Sequence, residues 1–327
     1  HIALPEYQKA LVPELEDRDI LPATLAPELI NGLLKGKLGF NGLVLTDASH
    51  MLGMTAAMRR EEYVPQAIAA GCDMFLFFNN IDEDYNFMLN GYKNGIITEE
   101  RLQDALERIL GFKATLGLHK AQKDGSIFRT EEDLKVVGCE DHIERAKQAA
   151  DKGITLVKNT LDQLPIRPET HKRIRLYYLE GEKGGLLGDS DSLQTIVKEL
   201  ESRGFEVTVN DGNTRVKGPT LKYREEVDAA LVFSNVVGYG AENNYRIKWK
   251  MAMSNEVPWY VHEVPTVFVS LNYTTHLTDV PMVKCYINAY KDTEITIKAV
   301  IDKIMGESEF HGTPNELVWC NKWDTRL

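Results

Sequence analysis

The chain has 327 residues, of which 43% are hydrophobic and 27% are charged, and its formal net charge is -11 at pH 7. An acidic protein is poorly suited to neutralising phosphates, so the charge excludes a general nucleic-acid binder. No stretch approaches the roughly 20 consecutive apolar residues of a membrane-spanning helix. At roughly 150 residues per domain, the length predicts about two domains.

Strand and helix signals alternate along residues 1–118. Pro27 suits the first turn of a helix, and residues 42–46 are a short run of strand formers that ends at Asp47. Residues 73–78 form a second apolar run, and such runs are typical of strands buried on both faces of a parallel sheet. The alternation predicts parallel β/α units, with three or four strands in this region.

The helix that follows Gly95 has the clearest sequence signals. Thr98 is a suitable N-cap, and two acidic residues follow it in the first turn. Apolar side chains then recur at helical spacing, which predicts one buried face. The residues of this face are Leu102, Ala105, Leu106, Ile109 and Leu110. Further helices are predicted over residues 61–70 and 83–94.

Residues 119–140 are polar and are interpreted as a linker. The alternation then resumes, which predicts a second α/β domain over residues 141–327. Its predicted strands are residues 154–158, 174–178, 205–209, 229–234, 266–270 and 283–287, and its clearest predicted helices are residues 192–202 and 293–305.

The four cysteines are far apart in the sequence and form no CxxC pair. They are Cys72, Cys139, Cys285 and Cys320. This spacing gives little support to a zinc site and favours buried free thiols, with one or two disulfides as the alternative. The sequence implies neither a metal nor an organic cofactor.

Asp47 is the first candidate for catalysis, because it ends a predicted strand of an α/β fold, and β/α barrels place catalytic side chains at the C-terminal ends of their strands. The alternative is that Asp47 only stabilises a turn, a common role of Asp. The segment LGFNGLVLTD, residues 38–47, resembles the segment that leads to the nucleophile in family 3 glycoside hydrolases. That resemblance implies that Asp47 is the nucleophile.

Other segments extend the resemblance over nearly the whole chain. Residues 70–76 and 95–102 are similar to the family's next strand and its closing helix, and residues 154–159 to the start of its second domain. The resemblance implies the C-terminal portion of a (β/α)8 TIM barrel followed by a flavodoxin-like α/β sandwich. A whole barrel has about 250 residues, so we expect the missing barrel half upstream or on a partner chain.

The residues after Asp47 indicate a branch of the family. Met51 and Gly53 match the β-N-acetylhexosaminidase branch, whereas β-glucosidases usually have Trp directly after the nucleophile. The resemblance implies a retaining hydrolase that removes terminal β-linked N-acetylglucosamine, an amino-sugar glycoside. His50 and Met51 are candidates for contacting the sugar, and a loop or packing role is the alternative for His50.

A retaining enzyme also needs a proton donor. In the resembled branch this is a His in a KHFPGHG-like segment, which the chain lacks, so we expect the donor on an N-terminal segment and no activity from the chain alone. In the family's β-glucosidases a Glu of the second domain takes this role, and Glu242 is the candidate here unless it is only a solvated loop residue. His1 resembles a barrel His of the family, without an assigned role.

Two further questions stay open at this point. A non-catalytic carbohydrate-binding or interaction module is the alternative to an enzyme. The compartment is undecided, with a periplasmic or secreted location favoured, and the sequence does not separate hydrolysis from phosphorolysis.

Overall fold

The structure is a computed structural model that describes residues 1–181, 191–211, 220–237, 245–249 and 257–319. The chain divides into two compact units, His1–Asp133 and Leu134–Leu327. Within the described ranges, every helix is too short or too polar to cross a membrane.

Unit 1 contains a sheet of two parallel strands, β1 (Leu45–Ala48) and β2 (Met74–Leu76). Its helices are α1 (Pro5–Leu11), a π-helix (Glu28–Lys37), α2 (Leu52–Thr55), α3 (Arg60–Ala69), α4 (Ile81–Lys93), α5 (Glu99–Thr115) and α6 (Leu118–Asp124). Parallel strands joined through helices are consecutive β/α units, and the sheet does not close, so unit 1 is part of a (β/α)8 barrel. The expectation of three or four strands was wrong, because the N-terminal segment adds only a bridge between Ala3 and Pro22.

One face of this small sheet is covered and the other is open. Residues of α3, such as Tyr63 and Val64, form a buried cluster with Leu25 on the covered side. On the open side, Leu45 and Met74 remain 52% and 38% exposed. The prediction of strands buried on both faces was therefore wrong, since the space that would be a barrel interior is not filled.

The helix after Thr98 partly matches its prediction. Thr98 is the N-cap of α5, and its side chain accepts a hydrogen bond from the backbone N–H of Arg101. Ala105 is buried, but Leu106 and Leu110 are 42% and 62% exposed. The predicted apolar face is thus only partly covered, because α5 packs against α3 along one side.

Unit 2 contains a six-stranded sheet. Its strands are β3 (Thr155–Asn159), β4 (Arg173–Glu180), β5 (Glu206–Val209), β6 (Ala229–Asn235), β7 (Thr266–Ser270) and β8 (Cys285–Asn288), in the order β3-β8-β7-β6-β4-β5. All neighbouring pairs are parallel except β3 with β8. Strands β4 to β8 alone follow the order 2-1-3-4-5 of flavodoxin-like folds, which confirms the predicted class.

Apolar clusters cover both faces of the unit 2 sheet. The helices of this unit are α7 (Glu140–Gly153), α8 (Ser192–Ser202), α9 (Thr220–Glu226) and α10 (Glu294–Met305). Ile196 of α8 and Ile301 of α10 pack on one face, and Tyr260 with its neighbours packs on the other. The predicted linker, residues 119–140, contains most of α6 and a short 3-10 helix, and the domain boundaries stay a prediction.

The cysteines of the described residues are free thiols. Cys72 and Cys285 are buried, as predicted, and burial raises the pKa of each thiol to about 12. Cys139 is partly exposed, and Cys320 lies outside the described residues. In the described part of the chain, no three His, Cys, Asp or Glu side chains are placed to hold a metal ion.

Candidate active site

The candidate site is the carboxyl end of β1 and the turn that follows it. Side chains alternate along this strand: Thr46 is buried, whereas Leu45 and Asp47 are exposed on the open face. Thr46 anchors the covered side, because its Oγ1 accepts a 2.8 Å hydrogen bond from the backbone N–H of Leu76. The alternation therefore directs the Asp47 carboxylate to the open side of the sheet.

Asp47 itself has few interactions. Its Oδ1 accepts a 2.7 Å hydrogen bond from the backbone N–H of Ala48. Among the described residues, no Lys, Arg or His forms an ion pair with Asp47, and its Oδ2 receives no hydrogen bond. The carboxylate is thus oriented by one bond and accessible to solvent.

Backbone hydrogen bonds define the turn after Asp47. The N–H of Met51 donates to the carbonyl oxygen of Ala48 at 3.1 Å, and the N–H of Ser49 donates to Leu76 in β2 at 3.2 Å. His50 is exposed within this turn, and Met51, 39% exposed, is the N-cap residue of α2. The structure therefore brings Asp47, His50 and Met51 together in one turn, while Glu242 lies outside the described residues.

A buried polar network supports the turn from the side of α3 and α4, and it was not predicted from the sequence. Ser49 is fully buried; its hydroxyl donates to the carbonyl oxygen of Phe77 and accepts a 3.0 Å hydrogen bond from Arg60. Arg60 also makes a bidentate ion pair with Asp84, with distances of 2.7 and 2.6 Å. A pair 24 residues apart on two helices has no sequence signature, so only the fold reveals it.

The electrostatics of this network favour the charged forms. Burial alone raises the pKa of the Asp84 carboxyl, but hydrogen bonds from Arg60 and from the backbone N–H of Asn79 outweigh burial and lower it. The same ion pair raises the pKa of Arg60. Ser49 is consequently held by a guanidinium that stays charged.

A second charged cluster lies at the opposite, amino-terminal ends of β1 and β2. The buried carboxylate of Asp73 accepts hydrogen bonds from the backbone N–H of Val44 at 2.8 Å, from Lys35 at 2.9 Å and from Arg101. Asp104 bridges Lys35 and Arg101 at the rim of this cluster. In a β/α barrel this end of the strands contributes stability rather than catalysis.

Tryptophans are frequent sugar-binding residues, but those of the described residues pack in unit 2. Trp319 is buried, and Trp249 and Trp259 lie against the cluster that contains Tyr260. Packing in unit 2 therefore accounts for these three side chains. Trp323 lies outside the described residues.

The chain was compared with known sequences. Residues 8–112 match the model of the glycosyl hydrolase family 3 N terminal domain. The whole chain is 39% identical to a beta-N-acetylglucosaminidase/beta-glucosidase of Cellulomonas fimi and covers 58% of that protein. A periplasmic beta-glucosidase of Salmonella typhimurium is 28% identical over 45% of the chain, which corresponds to 19% of its own length.

The chain was also compared with solved structures. A beta-glucoside phosphorylase, BglX, superposes with a TM-score of 0.88 at 33% identity over 100% of this chain and 58% of its own. A family 3 beta-N-acetylglucosaminidase from Paenibacillus has a TM-score of 0.67 at 20% identity over 93% of this chain and 56% of its own, a likeness of fold alone. The chain thus spans just over half the length of these relatives.

Proposed function

Because the chain belongs to glycosyl hydrolase family 3, we propose that it is the nucleophile-bearing part of a retaining enzyme for terminal β-linked N-acetylglucosamine. Asp47 is the nucleophile in this proposal. The Cellulomonas fimi relative, whose name contains both beta-N-acetylglucosaminidase and beta-glucosidase, supports this substrate class and keeps glucosides as a second one.

The observation that carries the proposal is the state of Asp47. Its carboxylate is exposed at the carboxyl end of β1, on the open face of the sheet, and forms no ion pair with any described residue. One oxygen is oriented by the Ala48 N–H, which leaves the other free to attack. A nucleophile needs such an accessible carboxylate.

A retaining mechanism at Asp47 has two displacement steps. In the first, an Asp47 carboxylate oxygen bonds to the anomeric carbon of the sugar while the glycosidic C–O bond breaks, and the leaving oxygen takes a proton from a general acid. In the second, water gives a proton to the same group, now acting as base, and attacks the anomeric carbon. The ester to Asp47 then breaks, which releases the sugar with its β-configuration and restores the carboxylate.

The proton donor is proposed to lie on a segment outside these 327 residues, because the chain has no counterpart of the KHFPGHG-like segment. A His suits this role, since its pKa lies near neutrality. Glu242 is the candidate if the enzyme follows the β-glucosidase pattern. His50 and Met51 are proposed to contact the sugar because they share the turn that follows Asp47.

Phosphorolysis is a second candidate, favoured by two solved structures of a beta-glucoside phosphorylase, BglX, that are 33 and 34% identical to this chain. The first step is unchanged. In the second, phosphate replaces water as the attacking group, so that the product is a sugar 1-phosphate and Asp47 again leaves as a carboxylate. Measuring the product of the complete protein with and without phosphate separates the two reactions.

The test of the nucleophile uses the complete protein with aryl β-N-acetylglucosaminide and aryl β-glucoside. We expect Asp47→Asn to lose turnover of both, while Asp82→Asn, an exposed Asp in the first turn of α4, keeps it. We further expect azide to restore cleavage by Asp47→Ala and to yield the glycosyl azide of inverted configuration. Near-native turnover by Asp47→Asn would refute the assignment.

A further inference from the structure

The carbonyl oxygen of Ala48 is the point from which the turn after Asp47 is held. It accepts two hydrogen bonds, one from the N–H of Met51 at 3.1 Å and one from the His1 ring, whose Nε2 lies 3.0 Å away. The N–H of the same peptide group belongs to Ser49 and donates to Leu76. Both polar ends of the second peptide group after Asp47 are therefore fixed from outside the turn, the N–H by Leu76 and the carbonyl oxygen by His1.

The contacts of His1 determine which nitrogen carries hydrogen. A carbonyl oxygen only accepts, so Nε2 must donate to Ala48. The other ring nitrogen, Nδ1, lies 2.8 Å from the hydroxyl oxygen of Thr24, which can donate to it. The ring is thus held between a side chain on one side and the turn on the other, with both nitrogens engaged.

A glycine fixes the main chain of His1 as well. A Cβ added to Gly53, in α2, would lie 2.4 Å from the carbonyl oxygen of His1 and 2.9 Å from its Cβ. Only glycine allows this approach between the start of α2 and the backbone of His1. The position of the imidazole is consequently set by packing in addition to its hydrogen bonds.

We propose that His1 is a positioning residue for the reaction. By completing the hydrogen bonding of Ala48, the imidazole keeps the turn from Ala48 to Met51 in one conformation and orients the adjoining Asp47 for attack. The inference rests on the proposed function, because it concerns the same nucleophile. A role of His1 as the general acid is disfavoured by the engagement of both ring nitrogens.

The experiment compares His1→Leu and His1→Gln in the complete protein, measuring kcat and KM with an aryl glycoside. Misalignment of a reacting group by about 1 Å can cost about 100-fold in rate, so we expect His1→Leu to lower kcat by about 10- to 100-fold. We expect a much smaller change in KM, since Asp47 acts chiefly in the transition state. His1→Gln retains an N–H donor that can reach Ala48 and should recover most of the rate.

Three further measurements make the result decisive. His119→Leu, at an exposed position of α6, serves as the matched control and should keep the parental kcat. Thr24→Val removes one hydrogen bond to the ring, so we expect a decrease in kcat of up to about fivefold, the factor equivalent to one typical hydrogen bond. This variant tests the proposal should His1→Leu not fold. The plot of kcat against pH for His1→Gln should keep the acidic and basic limbs of the parental protein's plot.

Two outcomes would overturn the proposal. Parental kcat in both His1→Leu and Thr24→Val would show that the ring does not position the nucleophile, while the function proposed for Asp47 would stand as long as Asp47→Asn is inactive. Equal loss in His1→Leu and His1→Gln, with a missing limb in the pH profile, would instead make His1 an acid or base.

Discussion

Replacing Asp73 with Asn should separate stability from catalysis in unit 1. The Asp73 side chain has no exposed surface, and Lys35 and Arg101, its two ionic partners, are 10% and 8% exposed. The same carboxylate accepts the N–H of Val44, which links the start of β2 to the residue before β1. The substitution keeps the shape and removes the charge that two buried cations require.

The magnitude follows from this burial. Removing one partner of a buried ion pair destabilises a protein by about 3 to 5 kcal/mol. The Asn amide oxygen can still accept the hydrogen bond from Val44, so we expect a loss near the lower limit, about 3 kcal/mol. Asp104→Asn is the matched control: its side chain is 39% exposed and its partner Arg101 stays paired with Asp73, so we expect about 1 kcal/mol or less.

Urea unfolding with two probes measures this effect. All four tryptophans lie in Leu134–Leu327, so their fluorescence reports unit 2, whereas circular dichroism reports the helices of both units. We expect Asp73→Asn to shift the dichroism transition of unit 1 to lower urea and to leave the fluorescence transition in place. A change in the unfolding free energy of unit 1 below about 1 kcal/mol would refute the assigned role of the charge.

The remaining predictions concern packing, pH and completeness. Gly91→Ala should lower the melting temperature, because the added Cβ would lie 2.3 Å from the Cβ of Pro65 and force α3 and α4 apart. Gly111→Ala is the control in α5: its added Cβ would have no atom within 4 Å, so the substitution should raise the melting temperature slightly. The pKa of Asp84 is lowered in the folded protein, so its ion pair with Arg60 stabilises the protein at pH values above the unfolded pKa of about 3.9, and this stability is lost as the pH falls through the folded pKa. Between about pH 6 and pH 2 the free energy of unfolding should therefore depend less on pH in Asp84→Asn than in the parental protein. Equal slopes for the two proteins would contradict this prediction. Finally, the 327-residue chain alone should not cleave aryl glycosides, and steady turnover by the purified chain would disprove the need for an outside proton donor.

Local sequence signals predict the elements of unit 2 well. The helix predicted over residues 192–202 coincides with α8, and the strand predicted over residues 266–270 coincides with β7. In both cases the apolar pattern of the element itself decides its structure. The antiparallel direction of β3 has no such local cause, because it depends on pairing with β8, far along the chain.

The candidate site could be predicted only in part. The motif that precedes Asp47 places it at a strand end, yet β1 begins at Leu45 rather than at residue 42. One reason is that the N–H of Val44 donates to the side chain of Asp73 instead of a strand partner. The contact of His1 with Ala48 likewise joins residues 47 positions apart, and no pattern in the sequence indicates it.

The pairing of β3 has a consequence for how the protein is made. Thr155 of β3 pairs with Asn288 of β8, and ribosomes add about 5 to 20 residues per second, so β3 emerges on the order of ten seconds before its partner exists. The preceding helix α7 has no buried residue with which to cover it. Until β8 is made, β3 therefore lacks the strand with which it pairs in the described sheet, and an unpaired strand can pair with other chains.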